Sequence, residues 1–268
     1  MISVNSLVRR GDDGSILTDA SGQPRVRRKP LGCPEVILDS GAFSTLLRHG
    51  GYPEGPESYA AAVRLLAERN PGAFSAAVTE DAMCEPFMLE RVGATVRDQQ
   101  ERTLERYEDL RRMLGSSPRW PYLMPVLQGY APEEYAAHLK EYGPLIGNRA
   151  WVGVGSVCKR NSSPARIEDV LGAILAVRGD LKLHGFGLKL TALASGYVRR
   201  SLYSSDSMAW SYAARNSGAD ANSPEEALRY ADRVEDVLRS PYQQTLFGPW
   251  SPAVLDTNTR KEVRDDYD

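Results

Sequence analysis

From residue 34 onward the chain alternates short apolar runs with longer amphipathic ones, and each apolar run stops at a polar residue or a glycine. The runs 35–38, 73–78, 122–127, 150–154, 181–186 and 198–203 have strand length. They are nearly continuous in their hydrophobicity, the mark of strands buried on both faces of a parallel sheet. Helical patterns lie between them at about 56–69, 86–114, 132 onward and 164–177, near Ala192, and at 208–214. Pro132 sits where a first-turn proline is tolerated, because its missing N–H would have had no partner there. A last amphipathic helix is predicted over 223–238, with Ser223 as N-cap and Glu226 three residues on, a capping-box pattern. Residues 1–33 look irregular, with possible strands at 4–8 and 23–29 and a turn at Gly11-Asp12-Asp13-Gly14.

Six strand–helix alternations in about 180 residues predict an α/β fold with a parallel sheet. Two N-terminal strands would complete a (β/α)8 TIM-type barrel. A doubly wound open sheet would carry a glycine-rich turn after its first strand, and Asp39-Ser40-Gly41 is a poor version of one. There is no internal repeat and no phosphate-binding P-loop. The expected organisation is a single domain over 1–268: irregular N-terminal strands (1–33), barrel core (34–216), C-terminal helix (217–249) and a flexible tail (250–268).

Length and composition permit a proper core: 268 residues, 42% hydrophobic and 25% charged. No apolar run reaches the roughly twenty residues that span a bilayer. Met1-Ile2-Ser3-Val4 does not begin like a signal peptide, so a cytoplasmic location is the expectation. Cys33, Cys84 and Cys158 are far apart, which argues against a disulfide framework or a zinc ribbon and for reduced thiols. A net charge of −2 excludes a strongly basic nucleic-acid binder. It leaves room for a basic groove built from clusters such as Arg25, Arg27, Arg28 and Lys29, though such runs are usually solvated faces.

In a barrel every strand end points into one site, so Asp39, Asp81, Gln128, Gly155-Ser156, His184 and Asp206 would converge. Three carboxylates with an amide and small residues, and no metal-type cluster, suit chemistry at an anomeric carbon. One carboxylate can serve as nucleophile and another as acid and base. A third carboxylate and an amide can read the edge of a polar heterocycle, and glycine lets a flat base approach the backbone. Each residue also has a plain structural role open to it. Asp39 or Asp81 can cap a helix, Gln128 can hold its own turn, and a histidine in Leu183-His184-Gly185 is most often a satisfied core residue. Ser40 and Ser156 lack the elbow of a serine hydrolase.

Read together and in order, LDSGAFS (38–44), TEDAMCEP (79–86), PVLQGY (125–130), WVGVGS (151–156), LHGFGLK (183–189) and YSSDSMAWSYAARN (203–216) resemble the successive strand-end motifs of the tRNA-guanine transglycosylase superfamily. MCEP, PVLQG and DQQERT (98–103) are similar to its DNA-modifying, DpdA-like branch. The resemblance spans about residues 34–216 and implies a (β/α)8 barrel that exchanges guanine in DNA for a 7-deazaguanine such as preQ0. It implies Asp206 as nucleophile on C1′ and Asp39 as acid and base. It also implies a base cradle of Ser40, Asp81, Gln128, Gly129, Gly153, Gly155, Ser156, His184 and Gly185. His184 stands where the superfamily has an apolar residue. Lys159, Arg160, Lys189, Arg199, Arg200 and Arg215 are expected to hold nucleic-acid phosphates.

The tRNA enzymes carry a Cys-x-Cys-x-x-Cys…His zinc site after the last strand, whereas no Cys or His follows Asp206 here. No metal or other cofactor is therefore expected, and DNA is expected as partner in preference to tRNA. The alternatives are a tRNA substrate, a non-catalytic nucleic-acid-binding barrel, and a nucleoside hydrolase. A homodimer or accessory DNA-modification proteins are possible partners, and no membrane is.

Overall fold

The computed structural model describes residues 1–29, 31–32, 35–160 and 162–240. The expected tail (250–268), the end of the C-terminal segment (241–249) and Cys33 lie outside the described residues.

The strands are β1 (Ile2–Ser3), β2 (Val36–Asp39), β3 (Phe74–Val78), β4 (Tyr122–Met124), β5 (Val126–Leu127), β6 (Trp151–Val154), β7 (Lys182–Gly185) and β8 (Leu202–Ser205). They form two four-stranded sheets, β1-β2-β3-β4 and β5-β6-β7-β8, in which every neighbouring pair is parallel. The stretch predicted as one strand over 122–127 is divided at Pro125, which has no N–H for a ladder. Up to Met124 the segment pairs with β3, and from Val126 it pairs with β6. One extended segment thus serves both sheets. Ala76, Val78, Met124 and Val126 form a buried cluster to which Ile37, Trp151 and Phe186 add, so residues of both sheets share an apolar interior.

The helices are α1 (Ala42–His49), α2 (Pro56–Arg69), α3 (Pro86–Val92), α4 (Val96–Leu114), α5 (Pro132–Tyr142), α6 (Pro164–Val177), α7 (Leu190–Leu193), α8 (Gly196–Ser201), α9 (Ala209–Asn216) and α10 (Pro224–Arg239). They pack into two larger clusters. One holds Tyr59, Val63 and Leu66 of α2 with Leu110 and Leu114 of α4 against β2 and β3. The other holds Tyr135, Leu139 and Tyr142 of α5 with Ile167, Leu171 and Ile174 of α6 against β6 and β7. Their spacing is the 3–4-residue recurrence of a helix with one core-facing stripe.

Several expectations are corrected. The long helix predicted over 86–114 is two helices, because Gly93 takes a left-handed C-cap and Thr95 opens α4 with a capping box to Asp98. The strand predicted at 198–203 is helix α8 up to Ser201, with Ser195 capping it, and only then β8. The strand predicted at 4–8 begins earlier, at Ile2–Ser3, and Val4–Ser6 form a 3-10 turn. Residues 23–29 make no strand; isolated antiparallel bridges join Thr18 to Pro24 and Val8 to Val26. Helix α1 was not predicted. Among the described residues no helix is long and apolar enough to cross a membrane.

Candidate active site

Asp39 ends β2, and the chain then turns through Gly41, whose φ of 76° is left-handed. The Gly41 N–H donates to Asp39 Oδ2 at 3.1 Å. Burial, helped by the negative charge of Asp206, raises the Asp39 pKa to about 6 against the pull of that N–H and of the Ser3 hydroxyl. Asp206 follows β8 directly. Its N–H donates to Gly185 O at 3.4 Å, and its Oδ1 accepts from Gly187 N–H at 3.0 Å. The ends of β2 and β8 thus bring Asp39 and Asp206 within electrostatic reach of each other.

Near Asp39 lies a chain of buried polar side chains. Gln128 Nε2 donates to Asp81 Oδ2, and Ser40 Oγ contacts Asp81 Oδ1 at 3.4 Å. Gln128 Oε1 lies 2.7 Å from Ser156 Oγ, which lies 2.9 Å from Glu85 Oε2 and accepts from Cys84 N–H. A serine hydroxyl has one hydrogen. If Ser156 gives it to Gln128 Oε1, the contact with Glu85 is a hydrogen bond only when Glu85 is protonated. Burial favours that form by raising the Glu85 pKa. Burial and the nearby Asp39 charge also raise Asp81, to about 7. A group of this kind can present both donors and acceptors to a heterocycle.

The backbone around it is held from behind. Tyr135 Oη donates to Gly155 O at 2.8 Å, and His138 Nδ1 accepts from Gln128 N–H at 3.0 Å. Burial lowers the His138 pKa to about 4, so that ring is neutral. The DQQERT motif has a structural reason. Gln99 Nε2 donates to Met83 O, Gln100 Nε2 to Gln128 O, and Thr103 Oγ1 accepts from Ala82 N–H. Helix α4 therefore fixes the loops that carry Asp81 and Gln128. Gly155 and Gly153 are required by close approach: a Cβ would meet Gln128 Nε2 at 2.3 Å and the Phe186 ring at 2.5 Å respectively. At Gly185 it would meet Leu188 at 2.6 Å, and at Gly129 the crowding comes from Tyr135 at 3.0 Å.

The expected residues are thus sorted. Asp39, Ser40, Asp81, Gln128, Ser156 and Asp206 stand at or just past strand ends; Gly155 makes room for the Gln128 amide, while Gly129, Gly153 and Gly185 make room for Tyr135, Phe186 and Leu188. His184 is only 1% exposed and lies behind Asp206, with Nε2 3.4 Å from Asp206 Oδ1. The phosphate-binding expectation divides. Lys159 and Lys189 are exposed in the segments that follow β6 and β7, and Arg215 is exposed in the last turn of α9. Arg160 is buried; it stacks on Tyr130 at 4.6 Å and donates to Tyr130 O and Ser156 O. Arg199 donates to Val237 O of α10. Arg199 and Arg200 sit in α8, which precedes β8, and so lie at the opposite end of that strand from Asp206.

Reading strand ends alone passes over Glu85, His138, Ser204 and Trp151. Glu85 lies before Pro86 in MCEP, where it looks like an ordinary helix start. Among the described residues no group of three or more His, Cys, Asp or Glu side chains is arranged to hold a metal ion.

Parallel strands delivering several carboxylates and an amide to one end define a class of sites equipped for acid–base and nucleophilic work on a polar heterocyclic substrate. A family model described as "DeoxyPurine in DNA protein A", DpdA, matches residues 23–267, and the chain belongs to that family. Membership implies modification of guanine in DNA by transglycosylation, with DNA as the substrate. No curated protein matches the chain.

Proposed function

We propose that the chain replaces guanine in DNA with a 7-deazaguanine base of the preQ0 type by double displacement, within a closed (β/α)8-type barrel. Barrel closure is supported by the sequential parallel strand order, by the apolar interior shared by the two sheets, and by the proximity of Asp39 on β2 to Asp206 after β8.

The observation that carries the reaction is this carboxylate pair beside the Asp81–Gln128–Ser156 chain. Asp206 attacks C1′ of a flipped deoxyguanosine while the C1′–N9 bond breaks, and the bond electrons leave with guanine. Asp39, with a pKa raised to about 6, supplies the proton that the departing ring needs. The incoming base then attacks C1′ from the side guanine left, its ring N–H proton passes to Asp39, and the Asp206 ester is released. Two inversions restore the β-configuration. Asp81, Gln128 and Ser156 read the heterocycle edge, Gly155 leaves room for the Gln128 amide that does so, and Lys159, Lys189 and Arg215 hold phosphates.

The test is incorporation of labelled guanine and of preQ0 into DNA and into tRNA side by side. Label in DNA alone, lost in Asp206→Asn, is the expected result. Label in tRNA alone would move the substrate to tRNA, abasic sites would make the chain a hydrolase, and a denaturation-stable protein–DNA adduct would exclude a merely binding barrel.

A further inference from the structure

His184 is buried beside Asp206, and its surroundings give it a use. Its ring is buried between Trp151 and Phe186, with centroids 6.1 and 4.8 Å away. Nδ1 lies 2.9 Å from Ser204 Oγ, and the same Oγ accepts from Trp151 Nε1–H at 2.9 Å. Nε2 is buried without a well-formed hydrogen bond, and the carboxylate oxygen it faces is Asp206 Oδ1 at 3.4 Å.

The direction of this chain follows from the donor inventory. Indole N–H can only donate. A bare Nε2 facing an ionised carboxylate would set two acceptors against each other in a buried place. Nε2 must therefore carry a hydrogen, and in a ring with a single N–H Nδ1 is then the acceptor. The Ser204 hydroxyl then gives its hydrogen to Nδ1, and its lone pair takes that of Trp151. Every donor from Trp151 through Ser204 and His184 points toward Asp206.

The geometry assigns His184 as the positioning residue of the nucleophile: with Gly187 N–H it holds Asp206 by Oδ1, so that Oδ2 is the oxygen that attacks C1′. This rests on the base-exchange reading of Asp206. In the ligand-free site the Nε2–Oδ1 contact is long, and such contacts commonly tighten only with substrate bound. In the ester intermediate Oδ1 becomes the carbonyl oxygen. The same two donors then bear on the oxygen that regains negative charge when the ester is released, so both halves of the exchange draw on them.

The experiment measures single-turnover formation of the covalent protein–DNA adduct, base affinity by calorimetry, and the ¹⁵N shifts of the imidazole nitrogens. In the wild type the His184 signals, identified by their loss in His184→Gln, are expected to show an Nε2–H tautomer. His184→Leu is expected to slow adduct formation about 10- to 100-fold, the worth of a hydrogen bond to a charged group, with base affinity unchanged within about twofold. His184→Gln, whose amide N–H can stand in for Nε2–H, is expected to recover most of that loss. Ser204→Ala is expected to slow the adduct less and to shift the tautomer. Wild-type rates in His184→Leu, equal losses in His184→Leu and His184→Gln, or an Nδ1–H tautomer in the wild type would overturn the assignment. Base exchange that persists in Asp206→Asn would instead sink the underlying reading of the site.

Discussion

Gln128, at the end of β5, donates its amide to the carboxylate of Asp81 just past β3, so that two strands of different sheets meet in one hydrogen bond. The bond fixes which face of the Gln128 amide is presented, because its other end is committed to Ser156. Asp81→Ala is expected to lower base affinity at least tenfold, since a buried amide and hydroxyl lose their partner. Calorimetric titration with guanine checks it.

Glu85 stands at the far end of the same chain, and burial, by raising its pKa, favours the protonated form that would complete it. Glu85→Gln keeps a donor for Ser156 without a charge and is expected to bind base within about threefold of wild type. Glu85→Ala leaves Ser156 short of a partner and is expected to cost about 1–3 kcal/mol of stability. Thermal melts of both variants, with base titrations, read the two effects separately.

Asp39 carries a pH signature in stability. Its pKa is raised from 3.8 to about 6 in the fold, so the folded state binds a proton that the unfolded chain gives up earlier. Stability from this group is full below about pH 4 and is lost as pH rises through about 6. Asp39→Asn still offers an oxygen to Gly41 N–H but cannot ionise. It is expected to be more stable than wild type by about 1–3 kcal/mol at pH 8 and to match it near pH 4. Denaturant melts at the two pH values decide this, and the same variant is expected to lose base exchange.

Gly155→Ala would place a Cβ 2.3 Å from Gln128 Nε2. The amide must move, breaking its bonds to Asp81 and Ser156. Overpacking of this kind costs about 1–3 kcal/mol. Loss of base binding together with a lower melting temperature is the expected outcome, measured by calorimetry and a thermal melt.

Arg160 and Arg215 are expected to behave oppositely. Arg160→Ala removes a buried guanidinium stacked on Tyr130 and is expected to destabilise the fold without changing the salt dependence of DNA binding. Arg215 is exposed on α9. Arg215→Ala is expected to lower the slope of log Kd against log salt by about 0.9, the effect of one lost phosphate contact. A salt titration of DNA binding checks both.

Much of the fold was legible along the chain because buried parallel strands announce themselves as short apolar runs, and β2, β3, β6 and β7 lie within a residue or two of where those runs place them. The failures have local physical causes. Pro125 cannot donate, so one apolar run became two short strands. Gly93 can adopt a left-handed conformation, so one long amphipathic run became two helices. Val198 is buried like a strand residue but belongs to a helix capped by Ser195, and this moves Arg199 and Arg200 to the wrong end of β8 for the site.

By itself the sequence determined the strand-end residues, Asp39, Asp81, Gln128, Ser156 and Asp206, because a polar residue closing an apolar run has few places to go but the rim. The tertiary structure alone decided how they pair. Which oxygen of Asp206 meets His184, which hydroxyl orders Glu85 against Gln128, and why Gln99, Gln100 and Thr103 lie buried are matters of hydrogen-bond geometry between segments tens of residues apart. Side-chain hydrogen bonds depend on angles and on a fixed number of donors. Neither quantity is written in the spacing of residues along a chain.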